Sequence, residues 1–202
     1  YQVGAGVTSM SSYNNSSGGC WSGCSLITMA DGSKKRSDQI QPGDEIKTLP
    51  DFKSGKMFKT TTVLKIVQTN LPTGECEMVD FPNKQRGGIT PWHPIEYKGS
   101  FVFANQIGET RVEKCDSLFN FICSHTHFAL VNDTPCITLG HSYKVGILAH
   151  PYFGSKQVVK DLSLIDGFKE GKIVIYPQWF QRGGPDLENR GRRTIDKISP
   201  HQ

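Results

Sequence analysis

The chain has 202 residues, 36% of them apolar, and its 23 basic against 19 acidic side chains leave a net charge of +4. That length can bury a core in one large or two small domains, and no run is long and apolar enough for a membrane span or a secretory core. Basic residues are mixed with acidic ones, which argues against nucleic acid as a partner; six cysteines without a Cys-x-x-Cys pair signal neither a disulfide scaffold nor a zinc site.

The expected setting is therefore reducing, intracellular and cytoplasmic, with no membrane partner, cofactor or metal. Residues 1–19 carry no charge and are mostly Ser, Gly and Asn, a composition that predicts a flexible N-terminal flank. At Cys20 the character changes. A strand is expected from Cys24, turning at Asp31-Gly32 and returning through Lys34-Lys35-Arg36. Further strands are predicted over 45–49, over the threonine- and valine-rich run 58–69, and over 75–81. Pro91 and Pro94 exclude helix around His93 and make Thr90-Pro91-Trp92-His93-Pro94 a strand end or rigid turn.

Short strands follow over 100–104, 111–115, 118–123, 127–131 and 136–139, with Asn132-Asp133 as a turn. A single helix is predicted after them: Ser155 can cap it, and Val158, Leu162 and Ile165 share one face before Gly167. One more strand is expected over 172–176. From Gln178 onward the Arg- and Gly-rich sequence predicts a mobile tail. The fold class is all-β with one C-terminal helix.

Cys20 admits three readings. It can be a buried cysteine at a strand start. It can be a papain-like nucleophile, since Gly-Gly-Cys-Trp is similar to that signature, but Ser17 stands where papain-like enzymes carry a further cysteine, and a strand follows where they have a long helix. Or it can attack the carbonyl of its own Gly19 and convert the Gly19–Cys20 amide into a thioester, with proximity supplied by the chain itself. That last chemistry needs an acid for the leaving nitrogen and a hydroxyl to hold the peptide group, and Thr90 and His93 offer both on a rigid segment.

Cys20-Trp21-Ser22-Gly23, then Asp31-Gly32, Ile40-Gln41-Pro42-Gly43-Asp44, Thr90-Pro91-Trp92-His93-Pro94 and His127-Phe128-Ala129-Leu130-Val131-Asn132-Asp133 resemble the Hint family of inteins, bacterial intein-like domains and hedgehog autoprocessing domains. Thr138-Leu139-Gly140-His141 and His150-Pro151-Tyr152-Phe153-Gly154 are similar to the Hint subgroup attached to von Willebrand A domains, called Vint.

The resemblance implies a horseshoe of pseudo-twofold related β halves over 20–150, an extein-like flank over 1–19 and a C-terminal extension over 151–202. It also implies autocatalytic cleavage of the Gly19–Cys20 bond. Cys20 would be the nucleophile, Thr90 and His93 its activators, and His127 and Cys136 further catalytic candidates. The substrate would be the chain's own N-terminal segment, the acceptor water, a thiol or an amine, and a von Willebrand A domain a neighbour in the parent chain. Cys24, His141 and His150 read as structural.

Two departures matter. No His-Asn dipeptide is present, so splicing is not expected, and Asn120 stands where many inteins have an Asp, which removes a candidate acid. The competing expectation is a catalytically silent Hint-fold binding or spacer module.

Overall fold

The computed structural model describes residues 19–51, 53–182 and 195–200. Residues 1–18 of the flank expected over 1–19 lie outside them, as do 183–194 and 201–202 of the expected tail.

The described chain is mostly β. Its opening strands are β1 (Trp21–Ser22), β2 (Leu26–Thr28), β3 (Lys34–Arg36) and β4 (Glu45–Lys47). The run of β-branched residues forms the longest strand, β5 (Thr60–Asn70), followed by β6 (Glu75–Asp80), β7 (Gly88–Ile89), β8 (Pro94–Tyr97) and β9 (Ser100–Phe103). After these come β10 (Thr110–Lys114), β11 (Ser117–Cys123), β12 (Phe128–Val131) and β13 (Thr134–Ile137). The predicted helix is α1 (Lys156–Leu162), capped by the Ser155 hydroxyl, which accepts from the Gln157 N–H at 3.1 Å. β14 (Lys172–Ile175), β15 (Phe180–Arg182) and β16 (Ile195–Ile198) complete the chain.

Eight strands join one sheet in the order β10-β6-β7-β1-β11-β5-β14, with β4 on the outer part of β5; six join a second in the order β3-β2-β12-β13-β8-β9. β5 holds the larger sheet together because its length lets Thr60, Thr61 and Thr62 pair β4 while 63–70 pair β11. The β12–β13 hairpin turns on Asn132 and Asp133, both at positive φ, the geometry of a two-residue turn that follows strand twist. Asn132 does more than turn the chain: its buried side-chain oxygen accepts from the Leu26 N–H at 2.8 Å and so ties the hairpin to β2.

One core cluster gathers Trp21, Ile27, Val63, Val79, Phe121 and Cys136. A second gathers Val67, Tyr152, Phe153, Val158, Leu162, Ile173, Ile175 and Ile198, so α1 and the last strands are packed onto the body. β14 runs parallel to β5 inside the larger sheet, so the boundary expected at residue 150 does not separate two structural units. The tail expected from Gln178 differs as well. Phe180 pairs Ile198, and the Tyr152 hydroxyl accepts from the Ile198 N–H at 2.9 Å while it donates to Asp161 at 2.7 Å. Ile195 and Ile198 are buried, and burial of two isoleucines is what a basic, glycine-rich composition hides.

Candidate active site

The Thr-x-x-His spacing has a geometric cause. The His93 N–H donates to the Thr90 carbonyl at 3.1 Å, so the two residues are the ends of one β-turn with Pro91 at its second position. A turn of that kind brings its first and fourth side chains to the same side of the chain, and both meet the Gly19–Cys20 peptide.

Thr90 grips the nitrogen side. The Cys20 N–H donates to the Thr90 hydroxyl at 2.9 Å, that hydroxyl donates to the Cys20 carbonyl at 3.1 Å, and the Thr90 N–H reaches the same carbonyl at 2.9 Å. Asn120, on β11, grips the carbonyl side: its side-chain Nδ2 donates to the Gly19 oxygen at 2.6 Å. The orientation of that amide is fixed, because its Oδ1 accepts from the Phe121 N–H at 2.7 Å and the residue is buried. An amide nitrogen directed at a peptide carbonyl can stabilise negative charge developing on that oxygen.

His93 closes the third side. It is fully buried, its ring lies against Trp21 with centroids 5.6 Å apart, and its Nε2 meets the Ile137 carbonyl at 2.8 Å. A carbonyl only accepts, so Nε2 carries the proton in the neutral ring and Nδ1 presents a bare lone pair. Nδ1 makes no hydrogen bond of good geometry, although the Cys20 backbone is close enough to favour its protonated form. It lies against Gly19 so closely that a Cβ on that residue would be 2.7 Å from it. Burial pushes the imidazole down to about 4, against the opposing influence of the Ile137 and Cys20 backbone.

The Cys20 thiol lies beside Thr69 of β5, with which it shares a cavity. Burial, and less strongly the Cys76 thiol, push it up to about 12, while a hydrogen bond from Thr69 opposes the rise. With the thiol far above neutrality and the imidazole far below, both groups are uncharged at pH 7.

His127 and Cys136 are not brought to this bond. The His127 ring lies 6.4 Å from that of His141 and 5.9 Å from that of Tyr143, whose hydroxyl donates to Asp51 at 3.2 Å. Burial pushes His127 down to about 4, with Asp51 acting against it. Cys136 is fully buried in the cluster around Trp21 and donates weakly to the Thr134 carbonyl at 3.4 Å. Neither lines the cavity beside the thiol. His141 and His150 both accept backbone N–H groups on Nδ1, His141 from Tyr143 and His150 from Tyr152 and Phe153, which is the structural role expected of them. Among the described residues no group of three or more His, Cys, Asp or Glu could hold a metal ion.

The family comparison bears directly on this geometry. The model of the Vint family, described as a Hint domain, matches residues 19–184, from the glycine before Cys20 to beyond β15. The chain belongs to the Vint family of Hint domains.

Solved structures similar to this Vint chain are inteins and their relatives. A variant of the Ssp DnaB mini-intein is 14% identical with a TM-score of 0.47, covering 61% of this chain and 96% of its own. The DnaB intein of Synechocystis is 15% identical with a TM-score of 0.45, covering 59% of this chain and 98% of its own. A bacterial intein-like domain from Clostridium thermocellum is 18% identical with a TM-score of 0.45, covering 59% and 97%. No curated protein matches the sequence. In the described part of the Vint chain no helix is long and apolar enough to cross a membrane.

Sequence reasoning missed Asn120 as a donor, treating it as a lost acid. The signal was present: a single amide inside the apolar run Leu118-Phe119-Asn120-Phe121-Ile122 must have a buried partner, and that partner is Gly19.

Proposed function

We propose that this Vint domain cleaves its own Gly19–Cys20 peptide bond through a thioester, with the N-terminal flank as substrate. The observation that supports this reading most directly is the grip on one peptide group from three sides: Asn120 on the Gly19 oxygen, Thr90 on the Cys20 nitrogen and the unpartnered Nδ1 of His93 against Gly19.

The Cys20 sulfur attacks the Gly19 carbonyl carbon and gives up its proton to water on the Thr69 side, while Nδ1 of His93, on the other side of the peptide group, takes one up. Negative charge on the Gly19 oxygen is met by the Asn120 amide. His93 then delivers its proton to the Cys20 nitrogen as the carbon–nitrogen bond breaks, leaving the acyl group on sulfur and a free amine. Thr90 keeps that nitrogen oriented throughout. Because an amide is more stable than a thioester, the equilibrium is drawn forward only when the thioester is consumed.

A chain carrying a folded N-terminal fusion, followed by intact-mass spectrometry, tests the reading. Release of the fusion from the wild type and its retention in Cys20→Ala are expected. A wild-type precursor that stays whole, with and without added thiol, leaves a silent Hint-fold module as the function.

A further inference from the structure

What takes the acyl group from sulfur is set by the space around it, and this inference rests on the cleavage proposed above. On the face of the large sheet where the Cys20 thiol lies, the chain after residue 138 closes over it. A cavity of about 20 Å³ remains, bounded on the polar side by Gly19, Cys20, Thr69 and Asn120. Its outer wall is apolar and includes Leu139, Phe153, Phe180 and Ile198. Phe180 and Ile198 are paired partners on β15 and β16, and Ile198 is held by its N–H to the Tyr152 hydroxyl.

A water molecule needs roughly 10–15 Å³ of such space together with polar neighbours. One water fits beside the thiol, with the Thr69 hydroxyl and the peptide group as partners. A thiol or an alkyl amine, with several heavy atoms and a tail to accommodate, does not fit without displacing the wall. We propose that water is the acceptor of the thioester, and that Phe180 and Ile198 select it by excluding larger nucleophiles.

The balance is simple. Water oxygen bonds to the Gly19 carbonyl carbon as the carbon–sulfur bond breaks. One water proton passes to the Cys20 sulfur, and the Gly19 carboxylic acid keeps the other until it ionises. No oxidant, reductant or second substrate enters. The wall thereby also hinders capture of the acyl group by thiols in the surrounding solution.

The experiment uses the full chain with a folded N-terminal fusion, in heavy-oxygen water containing free cysteine as competitor. Wild type is expected to release a fragment ending in Gly19 with one heavy oxygen and no cysteine adduct. In Phe180→Ala and Ile198→Ala, which open the wall, the cysteine adduct is expected to appear beside the heavy-oxygen fragment. Val67→Ile, which adds a methylene inside the cavity and leaves the wall in place, is expected to slow hydrolysis; it decides the matter should the alanine variants not fold. A wild-type fragment released mainly as the cysteine adduct, or an unchanged rate and adduct share in folded variants, overturns the inference while leaving the cleavage intact. No release from the wild type overturns the cleavage reading itself.

Discussion

Replacing Asn120 by alanine removes one donor from the Gly19 carbonyl and leaves Cys20, Thr90 and His93 in place. The donor sits 2.6 Å from the oxygen in a buried site, where a hydrogen bond to developing charge is far stronger than in water. Loss of a single oxyanion donor of this type costs about 10²–10³ in rate, or about 2.7–4 kcal/mol. The same substitution removes the acceptor for the Phe121 N–H, so stability also falls, by about 1–3 kcal/mol. The two effects separate in a single-turnover assay: purified precursor is followed at a temperature where circular dichroism shows both proteins folded, and the first-order rate of fusion release is compared. A folded Asn120→Ala precursor that releases its fusion within about threefold of the wild-type rate would refute the assignment of Asn120 to the carbonyl.

Gly19→Ala places a methyl group 2.7 Å from the buried His93 ring, well inside normal carbon contact, so the ring or the scissile peptide must move. Cleavage is expected to fall at least about tenfold, because sub-ångström misplacement of reacting groups is costly, and gel analysis of precursor accumulation reads it. The pH dependence should be flat. With His93 pushed down to about 4 and the thiol up to about 12, the uncharged pair dominates across neutral pH. A release rate that climbs tenfold per pH unit between about 7 and 9 would show attack by a solvent-generated thiolate instead.

Stability has a different profile. The folded state keeps His93 neutral at about 4 against an ordinary value of 6.5, so the unfolded chain binds more protons in between. Stability is full above that ordinary value and is lost as pH falls toward the folded one, by about 2 kcal/mol for His93 alone at pH 5. His127, pushed down to about 4, and His141 and His150, to about 3, add in the same direction. Urea midpoints measured at pH 7 and pH 5 check this, and equal midpoints would contradict it.

Much of this was legible in the residues. Threonine and valine runs and turn signals place the strands, Ser155 places the start of the helix, and a proline-fixed Thr-x-x-His next to a lone Gly-Cys describes most of the site. What was not legible depends on which strands become neighbours. β1 is two residues long and has no strand signal of its own; it exists because Trp21 pairs Phe119 on one side and Ile89 on the other. The parallel partnership of β14 with β5 joins segments a hundred residues apart, and nothing in either segment specifies the other. Thr69, Phe180 and Ile198 each look ordinary in sequence, and they acquire a role through the cavity they share with Cys20.

That shared cavity ties Cys20 to β16, a strand far from it in sequence: Ile198 lines the same space as Gly19 and Cys20. The Thr90–His93 turn and Asn120 reach the Gly19–Cys20 peptide without β16, whereas the wall beside the sulfur needs β15 and β16 to have paired and docked. Closing contacts of such long range is slow compared with local pairing. The peptide group can therefore be gripped before its surroundings are complete, and on the proposed chemistry the order of those two events decides which nucleophile meets the acyl group first.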